Sequence, residues 1–307
     1  VALLRVGITT SSFADSDPAP REMMKNAGVE VVENPYGRRL TEEEAIEYLA
    51  DKDGLIAGLE PLNRKVLDAA PNLKAIARVG IGIANVDLKA AEEKGIKISN
   101  TPDGPTLAVA ELTVTAALAL NRGLVATNVK LHAGEWAKSI GQGLTGQSVL
   151  FVGYGRIGRK AAELFRAFGP KILVADPFLK QEDLTAGETL VSLEEGLAAA
   201  DIITLHAAGE EEILGADEFA KMKKGVILLN SARGGLVDEQ AFIAALDNGT
   251  VGSAWFDAFW KEPYEGPLRG YENVLMTPHV GTYTAQCRGS MEMAAVQNLL
   301  RDLGVQL

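Results

Sequence analysis

The chain is 307 residues long, with 47% apolar and 23% charged residues, the balance of a soluble globular protein and a length that predicts about two domains. Its net charge of −11 excludes the basic face that a phosphate backbone requires, so no nucleic-acid partner is expected. The opening "VALLRVGITT" is interrupted by Arg5 too early for a signal peptide, and the single Cys287 rules out an internal disulfide, so a cytoplasmic protein is expected.

From the N-terminus onward, short apolar runs rich in Val and Ile alternate with helical patterns. The runs are "LLRVGIT" (Leu3–Thr9), "VEVVE" (Val29–Glu33), "GLIAGL" (Gly54–Leu59), "LKAIARV" (Leu73–Val79) and "IKISN" (Ile96–Asn100). Between them, "TEEEAIEYLA" (Thr41–Ala50) reads as a helix opened by a capping box of Thr41 with Glu44. Such alternation implies a parallel sheet covered on both faces.

Two helical stretches follow, Thr106–Asn121 and Val125–Ala137. The first contains the most apolar segment, "LAVAELTVTAALAL" (Leu107–Leu120), which carries Glu111 and falls short of the ~20 residues of a membrane span. It reads as a buried helix, and no membrane partner is expected. The alternation then restarts, with strands expected at Ser148–Val152, Lys171–Ala175, Ile202–His206, Val226–Asn230, Ser253–Phe256 and Val274–Thr277. The tail, Tyr283–Leu303, reads as one long helix running back onto the first α/β unit, which would make that unit discontinuous.

The second unit opens on Gly153-Tyr154-Gly155-Arg156-Ile157-Gly158, a G-x-G-x-x-G between a strand and a helix. The first glycine permits the tight turn, the second lets the backbone approach a pyrophosphate, and the third lets helix pack on strand. Phosphates would meet the free N–H groups and positive dipole end of the helix. The next strand ends in Asp176, where a carboxylate accepts hydrogen bonds from ribose hydroxyls and repels a 2′-phosphate. NAD is therefore expected in preference to NADP; FAD and an empty glycine turn are the alternatives.

Hydride transfer to a carbonyl also needs a proton donor and a cation to polarise the oxygen. His279, Arg233 and Glu262 each stand just beyond an expected strand of the second unit, where ligands bind in open α/β sheets. Each alone has a plain structural reading, as a loop histidine, a surface arginine and a turn acid. No metal-ligand cluster is apparent.

Taken together, "ARVGIGIANVDLKAAEEKGIKISNTP" (Ala77–Pro102), "VAELTVTAALAL" (Val109–Leu120), "LTGQSVLFVGYGRIG" (Leu144–Gly158), "MKKGVILLNSARGGLVDEQAFIAAL" (Met222–Leu246), "FDAFWKEP" (Phe256–Pro263) and "MTPHVG" (Met276–Gly281) resemble the D-isomer-specific 2-hydroxyacid dehydrogenases. That family includes D-lactate, D-3-phosphoglycerate, glyoxylate/hydroxypyruvate, formate and phosphite dehydrogenases. The resemblance implies two doubly wound parallel-sheet domains, one flavodoxin-like and one Rossmann-like, with a cleft between them. Residues 1–100 with 282–307 would form the substrate domain and 101–281 the NAD-binding domain.

It also implies roles. Arg233 would bind the substrate carboxylate and polarise the carbonyl, His279 would donate and accept the proton, and Glu262 would pair with His279 and raise its pKa. Asp257 would hold the nicotinamide amide, with Thr106, His206 and Ala232 also on the cofactor side. The N–H groups of Val79, Gly80, Ile81 and Gly82 would cradle the substrate carboxylate.

Some positions depart from the family pattern. Phe151 replaces a frequent glycine, Ala208 a usual proline, and Ala84 a frequent aspartate. Trp255 and Trp260 flank Asp257, where bulky rings would reshape the pocket or close a domain interface. His132 is expected on the surface or in an interface. The resemblance thus implies an NAD-dependent D-2-hydroxyacid dehydrogenase and a homodimer; with no regulatory domain after Leu307, a serine-feedback module is not expected. An NAD(H)-sensing regulator of the corepressor type and a formate or phosphite dehydrogenase are the alternatives. Substrate choice is expected to lie near Arg78–Ile83, Trp260, Thr282 and Tyr283; Arg78 either meets a second anion, which makes 3-phosphoglycerate the first expectation ahead of glyoxylate or hydroxypyruvate, or serves the fold.

Overall fold

A computed structural model describes residues 3–10 and 12–305. The chain divides into two compact units, Val1–Pro105 with Thr282–Leu307, and Thr106–Gly281.

In chain order the first unit runs β1 (Arg5–Ile8), α1 (Ala19–Asn26), β2 (Glu30–Glu33), α2 (Glu42–Leu49), β3 (Gly54–Ala57), α3 (Arg64–Asp68), β4 (Ala75–Arg78), α4 (Leu88–Glu93) and β5 (Lys97–Asn100). The strands pair in parallel in the order β2-β1-β3-β4-β5, the flavodoxin-like arrangement. β3 is buried along its whole length, as a central strand covered on both faces requires. Helix starts are locally encoded. Thr41 and Glu44 form the reciprocal capping box, and Asn63 and Asp87 cap the next two helices through their side chains.

The second unit continues with α5 (Pro105–Asn121), α6 (Leu124–His132), β6 (Ser148–Val152), α7 (Arg156–Arg166), β7 (Lys171–Ala175), β8 (Glu188–Leu190), α8 (Leu193–Ala199) and β9 (Ile202–Leu205). It closes with α9 (Ala216–Lys221), β10 (Val226–Asn230), α10 (Glu239–Asp247), β11 (Val251–Phe256) and β12 (Val274–Met276). Its sheet order, β12-β11-β10-β9-β6-β7-β8, is all parallel and reverses direction between β6 and β9, which makes the end of β6 the topological switch point of a Rossmann-like sheet. Alternate residues of β6 feed different cores. Leu150 and Val152 join one apolar cluster with Phe242, and Val149 and Phe151 join another with Phe165 and Trp255.

The chain ends in α11 (Ala285–Asp302), which packs on α1, β3, β4 and β5 of the first unit. A Cβ on Gly54 would come within 3.0 Å of Leu303, so that strand start must stay bare for the helix end to lie against it.

Two local expectations need correcting. β8 was not legible as a strand, because "ETL" is a three-residue edge element without an apolar run. α6 stops at His132 rather than Ala137, because Gly134 takes a left-handed φ of 84°. α5 buries Ala110, Thr113 and Ala117, and among the described residues no single helix is long and apolar enough to cross a membrane.

Candidate active site

The three glycines of the turn after β6 have three different surroundings. Gly153 has φ +85°, and a Cβ there would lie 2.5 Å from Ala207 N. A Cβ on Gly158 would lie 2.6 Å from the Gly153 carbonyl oxygen, so α7 and the turn touch through bare backbone. Around Gly155 there is open space, and this residue begins α7 without any side-chain cap. No side chain caps the start of α7, so its first turn offers a positive dipole end, which fits a pyrophosphate. Asp176, one residue past β7, accepts hydrogen bonds from Tyr154 N–H at 2.8 Å and Phe178 N–H at 3.0 Å. Each carboxylate oxygen keeps a further lone pair for a ribose hydroxyl.

Because every strand of this sheet is parallel, the residues after β10, β11 and β12 emerge on the same edge as the glycine turn. Glu262 and His279 meet there: Nδ1 of His279 is 2.9 Å from each Glu262 carboxylate oxygen. Burial works to raise the Glu262 pKa. The hydrogen bond and charge of His279, with the Phe259 N–H bond and the charge of Arg233, outweigh it and hold this carboxyl below its ordinary value. With Nδ1 spent on Glu262, Nε2 is the ring nitrogen left for a reacting atom. Arg233 donates to the Ala232 carbonyl at 2.8 Å.

Two supporting residues, Asn230 and Thr277, escaped the sequence reading. Asn230, fully buried at the end of β10, accepts from Ala232 N–H and donates to the Arg233 carbonyl, clamping the turn that presents the guanidinium. Its signal was present, since a strand-end Asn commonly bonds backbone two residues on. Trp255 donates its indole N–H to Thr277 Oγ1 at 2.9 Å, and that hydroxyl donates to Asp257 Oδ1 at 2.6 Å. Asp257, 2% exposed, also accepts from Val280 N–H and Gly281 N–H. Its carboxylate therefore ties down both residues after His279, which itself holds a left-handed φ of 53°.

Trp255 and Trp260 both pack within this unit. Trp255 is fully buried, while Trp260 stacks on Phe256 at 5.4 Å and donates to the Val237 carbonyl. Gly234 is bare because the Phe259–Trp260 backbone comes within 2.2 Å of where its Cβ would stand, so the close approach is to the protein itself. His206 stacks on Phe151, bonds Thr204 Oγ1 at 2.9 Å and stands behind the glycine turn; burial lowers its pKa to about 4. Thr106 is half-buried at the start of α5, and His132 is exposed.

In the first unit, two of the four expected cradle amides are already engaged. Val79 N–H donates to the Ala57 carbonyl at 3.0 Å and Gly80 N–H to Thr101 Oγ1 at 2.8 Å. Among the described residues, the N–H groups of Ile81 and Gly82 have no acceptor, so the cradle narrows to these two. No cluster of three or more His, Cys, Asp or Glu side chains able to hold a metal occurs among the described residues.

Residues 114–281 match the family described as D-isomer specific 2-hydroxyacid dehydrogenase, NAD binding domain. D-3-phosphoglycerate dehydrogenase of Homo sapiens is 37% identical over 288 residues, which are 91% of this chain and 54% of that protein, so the chain spans about half its length. Hydroxypyruvate reductase of Thermotoga maritima is 34% identical over 304 residues, 94% of this chain and 97% of that protein. The solved structure of a glyoxylate reductase from Paecilomyes thermophila has a TM-score of 0.85 at 29% identity and covers 100% of this chain and 98% of that one. A relative matched along nearly its whole length, and a family match spanning more than half of this chain, establish that the protein belongs to the D-isomer-specific 2-hydroxyacid dehydrogenases and contains their NAD-binding domain.

Proposed function

We propose that the protein is an NAD-dependent dehydrogenase interconverting a D-2-hydroxy acid and its 2-oxo acid. The observation that supports this most directly is the Glu262–His279 pair at 2.9 Å, on the same sheet edge as the uncapped start of α7. NADH bound at Gly155–Gly158 and Asp176 would supply the hydride. Arg233 would hold the substrate carboxylate and draw charge toward the carbonyl oxygen. His279 would give its Nε2 proton to the oxygen at C2, and Glu262 would stabilise the imidazolium and fix the ring through Nδ1. Asp257 would act through the loop it anchors as well as toward the nicotinamide amide.

The names of the relatives bring glyoxylate, hydroxypyruvate and 3-phosphoglycerate forward as candidate substrates. A cytoplasmic homodimer is part of the same proposal. Cys287 is a buried free thiol, and Leu124, Val129, Leu131, Trp136 and Ile140 expose an apolar patch along and beyond α6.

The test is NADH oxidation with a panel of 2-oxo acids. His279→Ala is expected to lower kcat by about two to four orders of magnitude with NADH affinity largely kept. Near-normal turnover in that variant would remove His279 from the chemistry. Tight NADH binding by the wild type without turnover of any 2-oxo acid would favour the NAD(H)-sensing alternative.

A further inference from the structure

At the carboxyl edge of the five-stranded sheet, the donors of an anion site are assembled and one of the chain's own side chains fills them. β1, β3 and β4 are neighbours, so the residues just past their ends, Thr9, Gly58 and Val79, lie side by side. A backbone N–H at Gly58, a hydroxyl at Thr9 and the nearby charge of Arg78, the last residue of β4, form a set that takes a phosphate or carboxylate. Glu60 occupies it. Gly58 N lies 3.1 and 3.3 Å from the two Glu60 oxygens, the Thr9 hydroxyl donates to Oε1, and the side chain is 1% exposed. Burial raises the Glu60 pKa against the Thr9 bond, the charge of Arg78 and the Gly58 N–H bond.

Arg78 is drawn inward as well. Its guanidinium bonds the Val79 carbonyl and lies over Gly80, where a Cβ would meet Nη1 at 2.5 Å. Other arginines around this edge are matched: Arg288 with Glu292 at 2.6 Å, Arg38 with Glu44 at 2.6 Å, and Arg21 with Glu33. The loop after β4 lies against these groups, since Asn85 donates to the Glu60 carbonyl at 2.7 Å and to the Gly58 carbonyl at 3.4 Å, so a three-carbon acid held by its carboxylate on Ile81 and Gly82 would carry a C3 phosphate toward them. A phosphate there would find its donors taken and a carboxyl group in its place.

We propose that Glu60 is a specificity-determining residue that excludes a second anionic group, so that the substrate is a 2-oxo acid with an uncharged remainder, of the glyoxylate, pyruvate or hydroxypyruvate kind. The inference rests on the dehydrogenase reading above and narrows its substrate class.

The experiment compares kcat/KM with NADH for glyoxylate, pyruvate and hydroxypyruvate against 3-phosphohydroxypyruvate and oxaloacetate, in the wild type, Glu60→Gln and Glu60→Ala. The wild type is expected to favour the best acid with an uncharged remainder by at least about tenfold. Glu60→Ala, which frees the Gly58 and Thr9 donors, shifts the ratio of 3-phosphohydroxypyruvate to hydroxypyruvate upward by roughly tenfold or more, and Glu60→Gln shifts it less. Preference of the wild type for the phosphorylated or dicarboxylic acid overturns the inference while leaving the dehydrogenase reading intact, as does an unchanged ratio in folded Glu60→Ala. If Glu60→Ala melts below the assay temperature, the wild-type ratio and Glu60→Gln decide. Absence of turnover with every acid overturns the dehydrogenase reading and this inference with it.

Discussion

His279 carries a conformation that its own side chain disfavours. A left-handed φ on a non-glycine residue costs of the order of 1–3 kcal/mol and persists only where neighbouring contacts enforce it. Here the enforcement comes from Asp257, which accepts from Val280 and Gly281 N–H, and from Glu262, which holds Nδ1. Another histidine shows how burial alone sets behaviour. The ring of His206 is kept neutral against Phe151, with its pKa lowered from 6.5 to about 4. The unfolded chain therefore binds a proton that the folded one refuses, so stability is fully present above about pH 6.5 and declines as pH falls toward about 4. Melting temperatures across that window are expected to drop more steeply for the wild type than for His206→Gln; parallel curves would show that the ring does not titrate in this way.

At the scale of elements, the glycine turn joins β6 to α7 by contacts that leave no room for a methyl group. Gly153→Ala would combine an unfavourable φ of 85° with a Cβ 2.5 Å from Ala207 N, so β6 and the loop after β9 would have to separate. The expected result is a loss of about 1–3 kcal/mol or more in urea unfolding together with weakened NADH binding by fluorescence titration. Gly155→Ala, with open space around it, is expected to keep the stability and lose only NADH affinity, so equal destabilisation of both variants would contradict this division of roles. Much of this was legible in sequence. The strand-turn-helix order, the acid after β7 and the capping box at Thr41 follow from rules acting over a few residues. β8 and the early end of α6 were missed for local reasons, an edge strand without an apolar run and a left-handed Gly134.

For the whole molecule, the apolar surface along and beyond α6 is the largest prediction left open. Trp136 is 81% and Ile140 100% exposed, an arrangement that a second copy would cover. Light scattering after size exclusion is expected to report a dimer, and Trp136→Glu with Ile140→Glu a monomer; a monomeric wild type would end the proposal. The amino-acid sequence by itself determined the two α/β units, the family and the cofactor, and pointed to three candidate residues for the chemistry, because those features reside in short motifs and in the period of apolar residues. Only the tertiary structure decided what surrounds them. It buried Trp255 beneath Thr277, 22 residues away; it turned Asp257 into the anchor of the His279 loop; and it set Glu60 on Thr9, 51 residues away. Such pairs carry no local signal, since parallel strand order, and not proximity in the chain, brings them within bonding distance.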